Sequence, residues 1–145
     1  MAFRFPLASV LRVRESVERS EELALQRAEL EVARAQRRLE ELTAELDRCV
    51  AERDRALEQP TPAYRVCELQ QEMSSLIDAR QDAVDALEML LQLRDDQRKR
   101  YQVAHNGRRM LTEMRAQQKD AYEQEQVRAQ QKRLDDIFAS RRQRV

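Results

Sequence analysis

The sequence predicts an all-α protein: two long helices forming an antiparallel coiled-coil hairpin, with the C-terminal helix extending beyond it. Three observations carry that expectation. The 145 residues include one Gly, three Pro and no Trp, with 37% charged and 4% aromatic, a balance that suits long solvated helices and leaves little for a globular core. Apolar residues recur in alternating steps of three and four on both halves of the chain, the stripe of a helix that faces one other helix. Between those halves, Gln59-Pro60-Thr61-Pro62-Ala63-Tyr64 must interrupt the helix, because each proline lacks a donor and pushes its predecessor away from helical dihedrals.

Charge and hydropathy exclude several classes of function. With 27 basic and 27 acidic residues, no net field draws the chain to nucleic acid or to an anionic membrane. No apolar run approaches the ~20 residues of a membrane span, and Met1-Ala2-Phe3-Arg4-Phe5-Pro6-Leu7 lacks the hydrophobic region of a signal peptide. A cytoplasmic location is the expectation. Cys49 and Cys67 flank the turn unequally, offset by roughly 9 Å along antiparallel helices, beyond the ~7 Å Cα separation that a disulfide tolerates. They are expected to be reduced, structural thiols.

At the N-terminus Phe3, Phe5 and Leu7 alternate, and Leu7, Val10, Leu11 and Arg14 then follow a helical face. An extended arm leading into helix near Pro6 to Ser9 fits that change of period. The cluster either caps the open end of the helix pair or forms a docking surface. The first helix, with its arm, covers residues 1–58. Its seam runs through Leu25, Ala28, Val32, Ala35, Leu39, Leu42, Leu46, Cys49, Arg53 and Ala56. Between Glu15 and Glu22 the apolar pattern lapses, so that stretch is frayed or held by charge pairs such as Glu15 with Arg19.

The turn is expected at 59–64, with Thr61 as N-cap and Pro62 at the first helical position, and the second helix at 65–145. Its seam reads Val66, Leu69, Met73, Leu76, Arg80, Ala83, Leu87, Leu90, Arg94, Gln97, Tyr101 and Ala104. A second row, Ile77, Val84 and Leu91, widens the apolar surface beyond what one partner covers. Loose packing and an exposed binding strip near the tip are both consistent with it. Gly107 leaves an unbroken helix or a kink open, and His105 reads as a solvent-facing helix residue.

The arms differ in length. Equal rise on both sides of Thr61 sets residue 1 opposite roughly residue 121, which leaves about 24 residues without a facing helix. Val127, Leu134 and Phe138 keep one apolar face on that tail.

Phe3, Phe5, Leu7, Val10-Leu11-Arg12 and Glu15, the proline-bearing turn, and Gln131-Lys132-Arg133-Leu134-Asp135-Asp136-Ile137-Phe138 together resemble the FliJ family of flagellar type III export proteins. Gln70-Gln71, Leu76 and Ala79 also match, while Glu72 stands where members carry an aromatic and Met73 is left to substitute. The resemblance implies a stalk similar to the antiparallel coiled coil of the F-type ATPase gamma subunit. By that likeness the end bearing both termini contacts a hexameric export ATPase through Phe3, Phe5, Leu7, Val10, Leu11, Val127, Lys132, Leu134 and Phe138. Met73, Leu76, Ala79 and Ala83 would contact the cytoplasmic domain of the export gate. Further implied partners are the ATPase regulator and export chaperones, with membrane association only through the export apparatus.

No glycine-rich phosphate loop, histidine pair or nucleophile motif occurs, so neither enzymatic activity nor a cofactor or metal is expected. Two other readings stay open: a structural coiled coil that dimerises, or the stalk of an injection-type secretion system. Nucleic-acid binding through Lys132, Arg133, Arg141, Arg142 and Arg144 is disfavoured, because Asp135 and Asp136 interrupt the patch and no aromatic platform accompanies it.

Overall fold

A computed structural model describes residues 2–142 as two helices, α1 (Ala8–Glu58) and α2 (Ala63–Arg142), with no strand among the described residues. The helices pack antiparallel, as their periodicity predicts. Helix α1 ends at Glu58, where the Pro60 constraint places the stop, and α2 begins at Ala63, directly after Pro62. Gly107 lies inside continuous helix with an ordinary φ. Arg144 lies outside the described residues.

The turn closes differently from the expected N-cap. The Thr61 hydroxyl donates back to the Ala56 carbonyl at 2.8 Å, with the Gln59 carbonyl at 3.2 Å. It therefore satisfies one of the orphan carbonyls that end α1. At the start of α2, Arg65 N–H bonds the Pro62 carbonyl at 3.1 Å.

The chain divides into two compact units, Glu21–Tyr101 and the pair Met1–Ser20 with Gln102–Val145. In the first, Val32, Leu42, Cys49 and Leu69 are buried, and the predicted α1 seam from Leu25 to Ala56 is buried or half-buried throughout. The α2 seam follows suit except at Arg80. Its stem is exposed, and its Nε donates to Thr43 Oγ1 on α1 at 3.2 Å. Arg65 also reaches across, to Glu52 at 2.5 Å. Cys49 and Cys67 are free thiols. Burial pushes the Cys49 thiol up, with Glu72 and Glu52 adding to the shift, so it behaves as a small core residue.

In the second unit Phe5, Leu11 and Ala104 are buried, and Phe3 meets Tyr122 with ring centroids 5.7 Å apart. That pairing agrees with the register expected from equal rise about Thr61. From Glu123 to Arg142 every residue of α2 is exposed. Tyr122 is thus the last residue of α2 with any cover, close to the expected end, although the ten residues before it are already exposed.

Two substitutions measure the seam. Leu69, with no exposed surface, should cost about 2–4 kcal/mol as Leu69→Ala, whereas Leu134→Ala, half-exposed on the tail, should change stability by less than about 0.5 kcal/mol. A Cβ at Gly107 would meet only the Arg14 side chain, at 3.5 Å. Gly107→Ala should therefore stabilise by about 0.5–1 kcal/mol. Urea denaturation followed by circular dichroism checks all three.

Candidate partner-binding surfaces

A pair of helices buries one stripe each, so a binding surface must come from residues left off the stripe or past its end. The Glu21–Tyr101 unit carries the four residues matched to an export-gate contact. Met73, Leu76, Ala79 and Ala83 are all half-buried, and three of them belong to the seam against α1. The neighbouring Ile77 is 52% exposed, while Val84 and Leu91 of the same row are half-covered. The widened apolar surface is thus partly absorbed by packing, and Ile77 is its most accessible aliphatic member.

In the other unit, the residues matched to an ATPase contact fall into two groups. Phe5 and Leu11 are buried in the pairing with α2, and Phe3 and Leu7 are half-buried; Val10 is exposed. On the tail Val127, Lys132, Leu134 and Phe138 are all exposed, Val127 and Phe138 by about two thirds. Ile137, 49% exposed, joins that face. The sequence reading left it out although it directly precedes Phe138. On α1 the exposed Val10 is joined at three-four spacing by Val13 and Val17, which the expected contact set does not include.

The stretch Glu15–Glu22, where the apolar pattern lapses, is intact helix. Its support is polar and crosses to α2 instead of running from Glu15 to Arg19. Within the terminal unit Glu18, with 15% of its side chain exposed, accepts from Arg108 Nε at 2.5 Å and from His105 Nδ1 at 2.9 Å. His105 is therefore half-buried and bonded, where the sequence suggested a solvent-facing residue. No local motif marks it, because its partner lies on the other helix. Within the other unit Glu21 accepts from the Gln97 amide through its carboxylate and, at 3.2 Å, through its carbonyl. The hydrogen bonds from Arg108 and then His105 hold the Glu18 carboxyl down to about 2.

No helix among the described residues is long and apolar enough to cross a membrane, and no group of three or more His, Cys, Asp or Glu among them could hold a metal ion. The family model of the flagellar FliJ protein matches residues 3–145. The chain belongs to the FliJ family. It is thus a coiled-coil protein of flagellar type III export, by family a structural export component and not an enzyme. No curated protein and no solved structure matches the chain.

The Glu18 cluster yields a pH test. Its carboxyl titrates lower folded than unfolded, so the stabilisation is full above about 4.5 and is lost as pH falls towards about 2. Glu18→Gln should cost about 1 kcal/mol at neutral pH, since the cluster is partly solvated. The difference from the parent should shrink below pH 4.5. Denaturant midpoints measured across that range decide it.

Proposed function

We propose that this FliJ-family protein links the hexameric flagellar export ATPase to the export gate. In this reading the end bearing both termini docks on the ATPase ring through Phe3, Phe5, Leu7, Val10, Leu11, Val127, Lys132, Leu134 and Phe138. The region near the turn, with Met73, Leu76, Ala79 and Ala83, docks on the cytoplasmic domain of the gate. The ATPase regulator and export chaperones are further partners, and the protein is held near the membrane only through them.

The single observation that carries the reading is the uncovered helix from Glu123 to Arg142. An apolar row of Val127, Leu134, Ile137 and Phe138 left open on a continuous helix suits an amphipathic helix-in-groove contact. Burying such a row would contribute on the order of 1–2 kcal/mol for each large side chain that becomes covered. The burial of Phe5 and Leu11 assigns them a supporting part, with Phe3, Leu7 and Val10 left to touch a partner. Near the turn, the seam positions of Met73, Leu76 and Ala83 likewise leave Ala79, beside Ile77, at the edge of the packed stripe.

Deletion of 127–145 should abolish capture of the ATPase ring while leaving the helicity of the remainder intact, read by co-sedimentation and circular dichroism. Undiminished ring capture by the truncated chain would defeat the terminal assignment. At the other end, Ala79→Asp together with Ile77→Asp should weaken binding to the purified gate domain at least about tenfold and leave ring capture alone. Leu76→Asp is the poorer probe, because a carboxylate in the seam also breaks the helix pairing.

A further inference from the structure

Within the terminal unit, the N-terminal arm, the start of α1 and Arg115 of α2 enclose a cleft of about 520 Å³, inside the size range of ligand-binding clefts. One side is apolar, formed by Phe3, Phe5 and Leu11. The other is cationic, formed by Arg4, Arg12 and Arg115, with Glu15 as the opposing charge. All three arginines are exposed, and none makes an ion pair among the described residues. Seven other arginines do find carboxylates, from Arg34 to Arg109. Helix α1 opens at the same cleft, with Pro6 and Ala8 on the wall and no acidic residue in the first turn. The positive end of its dipole is therefore uncompensated there. In a chain of zero formal charge, this excess of three arginines over Glu15 is a local concentration of positive charge.

We propose that the cleft binds an extended acidic peptide segment of a partner protein, with carboxylates on Arg4, Arg12 and Arg115 and an apolar side chain against Phe3, which Phe5 and Leu11 support from beneath. The inference rests on the terminal end being a docking site and gives its partner a chemistry. Charge complementarity selects an anion, and the guanidinium fork suits a carboxylate. Two features select a peptide. The apolar wall offers a phosphate nothing, yet fits a Leu or Phe side chain. The backbone of Phe3 and Arg4 makes no hydrogen bond among the described residues, so the arm can pair with an extended chain as a strand edge does.

Fluorescence anisotropy on the full chain tests this with a labelled peptide, Asp-Glu-Leu-Phe-Asp-Glu-Leu, and a control with lysine at each acid. The acidic peptide should bind and the lysine peptide should not, and binding should weaken as salt screens the exposed arginines. Arg12→Gln with Arg115→Gln should weaken it about tenfold or more, as should Arg4→Gln with Arg115→Gln, while Arg128→Gln on the tail should have no effect. Circular dichroism of each variant keeps a folding failure visible. Equal binding of both peptides, indifference to the arginine variants, or binding of inorganic pyrophosphate in place of the peptide would overturn the proposal. Ring capture by Arg12→Gln with Arg115→Gln separates the two levels. A ring still captured at full strength leaves terminal docking in place and sinks the acidic-segment inference, and a weakened capture supports both.

Discussion

Two helices packed against each other cover only one stripe on each, and this scarcity of interior governs the molecule. Only Phe5, Leu11, Val32, Leu42, Cys49, Leu69 and Ala104 are buried among the apolar residues described. Most of the stabilisation must therefore come from many half-covered contacts spread along the seam, supplemented by polar bonds where the seam fails. Glu18 with Arg108 and His105 in one unit, and Glu21 with Gln97 in the other, are those supplements. They stand where α1 offers no regular apolar stripe. A partly solvated carboxylate bonded twice can hold a register there without the desolvation penalty a buried pair would meet.

The same scarcity sorts the surface. A residue whose side chain lies on the stripe serves the hairpin first, which is why Phe5 and Leu11 pack inward although they sit in the terminal cluster expected to meet a partner. Past Tyr122 no described residue of α2 is covered by the rest of the chain. Val127, Leu134, Ile137 and Phe138 are exposed there. An exposed row of the same seven-four spacing, Val103, Met110 and Met114, lies on α2 within the same unit.

Much of the fold was legible because its determinants are local. Proline geometry set the stop at Glu58, three-four spacing set both seams, and equal rise per residue set the end of the covered region near Tyr122. The family was legible from the residues at the two ends. What escaped were contacts that depend on which side chains meet across the pair. His105 gained a partner only because Glu18 faces it, and Thr61 turned its hydroxyl back to Ala56 because α1 ends with unpaired carbonyls. The cationic cleft escaped for the same reason. Arg115 is about a hundred residues from Arg4 and Arg12 in sequence, and only the pairing of the arm and α1 with α2 brings it beside them.

The tail's helical state has an energetic consequence for any partner. An isolated helix of about 12–15 residues is marginal in water because its first turn is costly to nucleate. The stretch from Glu123 to Arg142 avoids that cost by continuing α2, and Lys119 with Glu123 and Gln131 with Asp135 add i,i+4 support along the way. The apolar row is therefore presented already ordered. A partner's groove would have to immobilise side chains but not fold the segment, which removes a large part of the entropic opposition to binding. A disordered tail with the same residues would have to lose backbone freedom at about 1–2 kcal/mol per residue on docking. If the proposed contact is made there, the helix past Glu123 meets its partner preorganised, with residues that have no core of their own.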